Sequence, residues 1–112
     1  MAVLRFVPHL QVSPYEIFRR MREGRPPLLI DLRPVPGPLT LRGALPYRPK
    51  WTPPSDQDVV LFDEDGTLAV KAARRLQAAG YSRVRALFGG LELWDFSLDP
   101  EVVGDDTGLE RL

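Results

Sequence analysis

Asp58-Val59-Val60-Leu61-Phe62-Asp63-Glu64-Asp65-Gly66-Thr67-Leu68 is the stretch on which the fold turns. Its apolar run, bounded by polar residues, reads as the clearest strand of the chain. The strand gives way to a turn of carboxylates and glycine. A helical period follows, with Leu68, Ala69, Ala72, Ala73 and Leu76 on one face as far as Ala79, and Gly80 as its stop. Arg83 to Leu87 reads as the next strand. Strand, helix and strand in this order predict an α/β fold around a mostly parallel central sheet flanked by helices.

The same alternation extends outward. Ser13-Pro14-Tyr15-Glu16 is a helix start: Ser13 caps, Pro14 fits the first helical position, and Glu16 completes a capping box. Ile17, Phe18 and Met21 form its apolar stripe, and Gly24 ends it. Arg19, Arg20 and Arg22 lie off that stripe and read as a solvated face rather than a binding patch. Leu28-Leu29-Ile30-Asp31-Leu32-Arg33 reads as a buried strand, and Pro34 to Pro38 as a stiff loop. A short strand is expected within Leu41 to Tyr47. Pro49 to Gln57 is a loop whose Trp51 reads as a lid over the core. Gly89-Gly90 opens a short helix through Leu91, Leu93 and Trp94. Residues 1–98 thus read as one domain, and residues 99–112 as an acidic, weakly patterned, peripheral tail.

Composition narrows the function. The chain has 112 residues, which suits one domain, and a formal net charge of zero. That balance gives no general attraction to nucleic acid or to an anionic membrane. No apolar run is long enough to span a bilayer. Met1-Ala2-Val3-Leu4-Arg5 lacks the pattern of a secretory leader, so a cytoplasmic location is expected. There is no cysteine, which excludes disulfides, thiolate metal sites and a cysteine nucleophile from this chain. Twelve prolines and no asparagine fit a thermostable protein. His9, the single histidine, reads as structural or exposed.

In open α/β sheets, ligands sit beyond the carboxyl ends of the strands. The turn after Phe62 hands a strand to a helix N-terminus and so offers free backbone N–H groups to an anion. An ordinary, unliganded βα turn is the alternative that this feature alone leaves open.

Seven segments together resemble the rhodanese domain family. Ser13-Pro14-Tyr15-Glu16 with Leu29-Ile30-Asp31-Leu32-Arg33 resembles that family's opening helix and "DVR" strand. Arg42-Gly43-Ala44 resembles the end of its "GHIPGA" segment. Val59-Val60-Leu61-Phe62 resembles the strand before its active-site loop. Ala72-Ala73-Arg74-Arg75-Leu76 with Gly80-Tyr81-Ser82-Arg83-Val84 resembles the helix and turn that follow. Leu87-Phe88-Gly89-Gly90-Leu91-Glu92-Leu93-Trp94 resembles the closing "L-x-G-G-x-x-x-W". The resemblance runs from about Gln11 to Trp94, in family order and spacing.

The departures fall on the chemistry. Rhodaneses carry a nucleophilic Cys in a loop resembling "C-x-x-G-x-R-S". Here Asp63 stands in the Cys position, Gly66 matches, Leu68 takes the Arg position and Ala69 the Ser position, while Thr40 falls where the family has His. Sulfur transfer needs a thiolate to carry sulfane sulfur as a persulfide, which a carboxylate cannot do. The missing loop Arg removes the cation for an anionic donor such as thiosulfate. The resemblance therefore implies an inactive relative of thiosulfate sulfurtransferase: a binding, regulatory or structural module without cofactor or metal. Its partner would be a protein, and its small-molecule ligand is unidentified. The ligand-binding candidates are Asp63, Glu64, Asp65, Gly66, Thr67 and Leu68. Asp31, Arg33, Gly89 and Gly90 are read as structural support near the loop. Asp63 is expected to fill the anion cradle itself and lock the loop.

A rival reading rests on one hexapeptide, Asp63–Leu68, and the apolar residue before it. Phe62 to Leu68 also matches "h-D-x-D-G-T-L" of haloacid-dehalogenase-type phosphatases, in which Asp63 would attack phosphorus and Asp65 act as acid and base with Mg²⁺. Val103-Gly104-Asp105-Asp106 resembles a later acidic motif of that family. Chain arithmetic opposes it: only one clear helix, one strand and the short Gly90–Trp94 helix lie between Thr67 and Glu101, where that core needs several βα units. The motif also belongs on a first strand, whereas 62 residues precede Asp63.

Overall fold

A computed structural model describes residues 5–112 of the chain. The leader question at Met1–Leu4, and the first four positions of the 1–98 domain, lie outside the described residues. Strands β1 (Gln11–Val12), β2 (Leu28–Asp31), β3 (Leu39–Leu41), β4 (Leu45–Pro46), β5 (Val59–Phe62), β6 (Val84–Leu87) and β7 (Leu109–Arg111) alternate with helices α1 (Pro14–Arg22), α2 (Thr67–Ala78), α3 (Gly90–Ser97) and α4 (Pro100–Val103). Five strands form one sheet in the order β1-β6-β5-β2-β4, with every neighbouring pair parallel. β3 and β7 form a separate antiparallel pair.

The period of two along the central strands explains why helices cover both faces. Val60 and Phe62 of β5 join a cluster with Ile17, Phe18, Leu91 and Trp94 from α1 and α3. Val59 and Leu61 join another with Ala69 and Ala73 from α2. Successive side chains of a strand point to opposite faces, so a run that is apolar throughout must be buried on both. α1 begins with half of the capping box that its sequence predicts: the Ser13 hydroxyl accepts the Glu16 N–H at 3.2 Å, but the Glu16 carboxylate does not return to the Ser13 N–H. The Glu16 carboxylate is 3.8 Å from Arg85. Arg20 pairs with Asp58 at 3.3 Å and Arg22 donates to the Val103 carbonyl, so two of the three α1 arginines are tied into the fold. Trp51 is half-buried against the α2-side cluster and meets Tyr47 edge-on.

The short strand expected within Leu41 to Tyr47 is β4, and β3, in the other sheet, ends at Leu41. Two expectations are corrected. Leu68 lies outside the α2 apolar face: it is 47% exposed, because it occupies the first turn, beyond the cover of the sheet. The tail, residues 99–112, is not peripheral. The Trp94 indole N–H donates to the Thr107 carbonyl at 2.9 Å, β7 pairs with β3, and Leu109 packs on the α1–α3 cluster. A buried indole needs an acceptor for its N–H, and the returning tail supplies it.

Candidate functional site

Register sets the level of the site. β2 and β5 pair with Asp31 opposite Phe62, so both strands end at one edge of the sheet. The two segments that leave this edge, Leu32–Arg33 and Asp63–Gly66, lie side by side. Their contents differ in role.

Asp63 is 3% exposed. Its Oδ1 accepts the Gly66 N–H at 2.8 Å and its Oδ2 the Leu68 N–H at 2.9 Å. The Thr67 N–H between them goes to the Asp65 carboxylate at 2.9 Å. The N–H groups at the start of α2, left without partners inside any helix, are thus taken by carboxylates of the same turn. Burial pushes the Asp63 carboxyl above its ordinary range, while the Leu68 and Gly66 N–H groups pull it back and the Asp65 charge adds to the rise. Asp65 is held below its ordinary range by the Thr67 N–H and hydroxyl.

The loop is pinned from its other side by α3. The Leu91 N–H donates to the Asp63 carbonyl at 3.0 Å and the Glu92 N–H to the Glu64 carbonyl at 2.9 Å. This contact is why two glycines open α3. A Cβ on Gly90 would lie 2.6 Å from the Asp63 carbonyl oxygen and 2.6 Å from that of Glu64, and Gly90 has φ +64°. Gly66 approaches from below, where a Cβ would meet the Gly89 nitrogen at 3.1 Å. Only glycine allows backbone to approach backbone this closely in a left-handed conformation.

Arg33 forms the facing wall. Its guanidinium grips Asp31 through Nε at 3.0 Å and Nη2 at 2.9 Å, donates to the Leu39 carbonyl at 2.8 Å, and reaches Glu64 through Nη1 at 3.4 Å. The Asp31 carboxylate also accepts the Arg33 N–H at 3.0 Å. The paired Asp31 raises the Arg33 guanidinium further above its already high range, against a smaller opposing effect of burial. Asp31 and Arg33 therefore join loop, β2 and β3. The bond from Arg33 to Glu64, across 31 positions, and the capping of α3 by loop carbonyls are not legible in the spacing; the Gly89-Gly90 pair is the one local sign of the second.

The residues brought together line a cleft of about 370 Å³ between Pro34–Val35 and Asp63–Leu68. Arg33 is its one cation, opposite Asp63, Glu64 and Asp65. The turn's carboxylates do not converge. Asp63 faces inward, Asp65 faces Thr67 and Glu64 faces Arg33. Among the described residues no three histidine or carboxylate groups are placed to share a cation. Thr40 lies buried beneath, its hydroxyl 3.5 Å from Asp31.

No family model matches the chain, and no curated protein does. Solved structures do. The rhodanese homologue of the extreme thermophile Thermus thermophilus is 30% identical over 74% of this chain and 98% of its own, with a TM-score of 0.59. The reduced CoADR-RHD protein of Bacillus anthracis is 26% identical over 75% of this chain, TM-score 0.59. The NAD-dependent persulfide reductase of A. fulgidus is 23% identical over 60% of this chain, TM-score 0.50, and shows likeness of fold alone. The chain spans 16% of the Bacillus protein and 14% of the A. fulgidus protein. The phosphatase reading draws no support from these neighbours. Asp63 is also buried, with each carboxylate oxygen turned to a backbone N–H of its own turn. Among the described residues no helix is long and apolar enough to cross a membrane.

Proposed function

Because the chain belongs to the rhodanese-like family yet holds no cysteine, we propose that it is a member without sulfurtransferase activity that acts as a binding module for a protein partner. One observation carries the reading. The position that the family resemblance gives to the nucleophile is Asp63, and its carboxylate already accepts the N–H groups of Gly66 and Leu68. A carboxylate cannot take up sulfane sulfur. The cleft in front of it sets Glu64 and Asp65 against the single cation Arg33, and Arg33 is engaged by Asp31. An anionic sulfur donor meets net negative charge there. What is left is a rigid loop edge, held by α2 on one side and α3 on the other, which is the form of a surface that presents rather than reacts.

The test is a pair of assays on one preparation of the whole chain: thiosulfate-to-cyanide sulfur transfer, and phosphate release from an aryl phosphate with and without Mg²⁺. Both are expected at background. Sulfur transfer above background overturns the proposal. Phosphate release that needs Mg²⁺ and vanishes in Asp63→Asn overturns it in favour of phosphoryl chemistry. The same reading includes a cytoplasmic location and high thermal stability, supported by the twelve prolines and the lack of asparagine. A melting midpoint in the mesophile range of about 45–65 °C counts against the thermal part.

A further inference from the structure

A second groove lies on the far side of Glu64, against α3. It measures about 310 Å³, and its floor is apolar: Pro38, Leu39, Leu91 and Leu109. Glu64, Glu92 and Asp95 stand at its rim. Leu39 remains 41% exposed there. Phe96 follows Asp95 on the outward face of α3 and is 85% exposed. Glu92, Asp95 and Phe96 are spaced three and four positions apart, so one helix face carries two carboxylates and an uncovered ring.

Carboxylates outnumber cations in the groove: Glu64, Glu92 and Asp95 line it against Arg33 alone, with Arg111 opposite Leu39 in the β3–β7 pair at its edge. No lysine or arginine occurs between Arg85 and Arg111, so α3 itself contributes only negative charge. Arg33 reaches the groove, but Asp31, the Leu39 carbonyl and Glu64 hold its donors. The chain as a whole is neutral, so this acidity is a local feature rather than a consequence of composition. A nucleic acid or an anionic membrane is repelled by such a rim. A cation is attracted, and the leucine floor adds an apolar requirement that a bare polyamine does not meet.

We propose that this groove docks a short segment of a partner protein in which a basic residue stands next to an aliphatic one. The aliphatic side chain enters among Leu39, Leu91 and Leu109, and the basic one pairs with Glu92 and Asp95. Arginine suits this role because its fork matches carboxylate geometry and its stem lies along apolar surface. The inference rests on the binding-module reading, and names the chemistry of the partner.

The experiment is an ¹⁵N–¹H correlation titration of the whole chain at low salt with Ac-Arg-Leu-Arg-Leu-NH₂. Ac-Glu-Leu-Glu-Leu-NH₂ and spermidine serve as controls. The basic peptide is expected to shift the amides of Leu39, Leu91, Glu92, Asp95 and Leu109, and to bind at least tenfold more weakly to E92K/D95K. The charge-neutral variant E92Q/D95N is expected to fall between. Circular dichroism confirms that each variant keeps its fold. No shift, equal shifts with the acidic peptide or with spermidine, or shifts confined to other residues overturns the proposal. So does self-association of the unliganded chain that E92K/D95K abolishes, since a second copy is then the occupant. The sulfur-transfer assay on the same sample keeps the two readings apart. Background transfer with a silent titration sinks the groove alone, and transfer above background sinks the module reading whatever the peptide does.

Discussion

Replacing Asp63 by Ala removes the carboxylate that accepts the Gly66 and Leu68 N–H groups at 2.8 and 2.9 Å. A buried donor left without a partner costs about 1–3 kcal/mol. The cleft in front of Asp63 lets water reach the vacated space, so the low end applies to each, and roughly 2 kcal/mol is lost. Relief of the burial that pushes the Asp63 carboxyl upward returns part of this. A net loss of about 1–2 kcal/mol lowers the melting midpoint of a domain this size by roughly 5–10 °C. Thermal melts followed by circular dichroism at neutral pH measure it. The pH dependence has a definite sign. A carboxyl whose folded pKa lies above its ordinary 3.8 favours the folded state most when protonated. That contribution is complete below 3.8 and is lost as pH rises through the folded value. The gap in midpoint between the natural chain and Asp63→Ala should therefore widen on acidification through this window. A gap that narrows shows that the N–H bonds outweigh burial. The absence of any gap at neutral pH refutes the locked loop itself.

Gly90→Ala forces a Cβ into the Asp63 and Glu64 carbonyls at a left-handed φ. Strain of about 1–2 kcal/mol and two weakened bonds of about 1 kcal/mol each predict a loss of roughly 3–4 kcal/mol in urea unfolding; a loss below about 1 kcal/mol contradicts the close approach. Arg33→Ala leaves the buried Asp31 carboxylate without its cation, which costs about 3–5 kcal/mol. Arg33→Lys keeps the charge but not the fork and should recover only part of that, so full recovery in the same titration argues against the bidentate grip. Trp94→Phe keeps most of the apolar volume and removes the donor to Thr107, about 1 kcal/mol. Amide exchange should quicken in β7 and its partner β3 before the central sheet; uniform quickening denies that the indole anchors the tail.

The parallel sheet was legible because its strands obey local rules. Val59–Phe62 is apolar on every residue, short and β-branched at its start, which suits a strand covered on both faces, and Ser13-Pro14 marks a helix start by capping chemistry alone. The Asp63 cradle was legible for the same reason, since its donors lie within five positions of the acceptor. What stayed hidden depends on partners distant in the chain. β1, only Gln11–Val12, is too short to show a period, and exists because β6 pairs with it. β7 has one apolar residue, Leu109, and its strand is made by β3, about seventy positions earlier. The reach of Arg33 to Glu64 likewise follows from the register of β2 on β5, which no spacing within either segment encodes.

The phosphatase-like hexapeptide shows how one string of residues can serve two architectures. Strand–Asp–x–Asp–Gly–Thr is a good way to start a helix, because the first Asp accepts from the Gly and from the residue after Thr while the second accepts from Thr. Here α3 holds that turn from its far side. Its first N–H groups draw the Asp63 and Glu64 carbonyls toward Gly90, which fixes the loop backbone so that the Asp63 side chain closes over the start of α2. The four residues that set this arrangement are Asp63, Gly66, Gly89 and Gly90, and none of them belongs to the hexapeptide's own logic except the first two. The motif specifies the turn and its side-chain caps, and the glycine pair across from it lets α3 approach closely enough to pin the loop backbone.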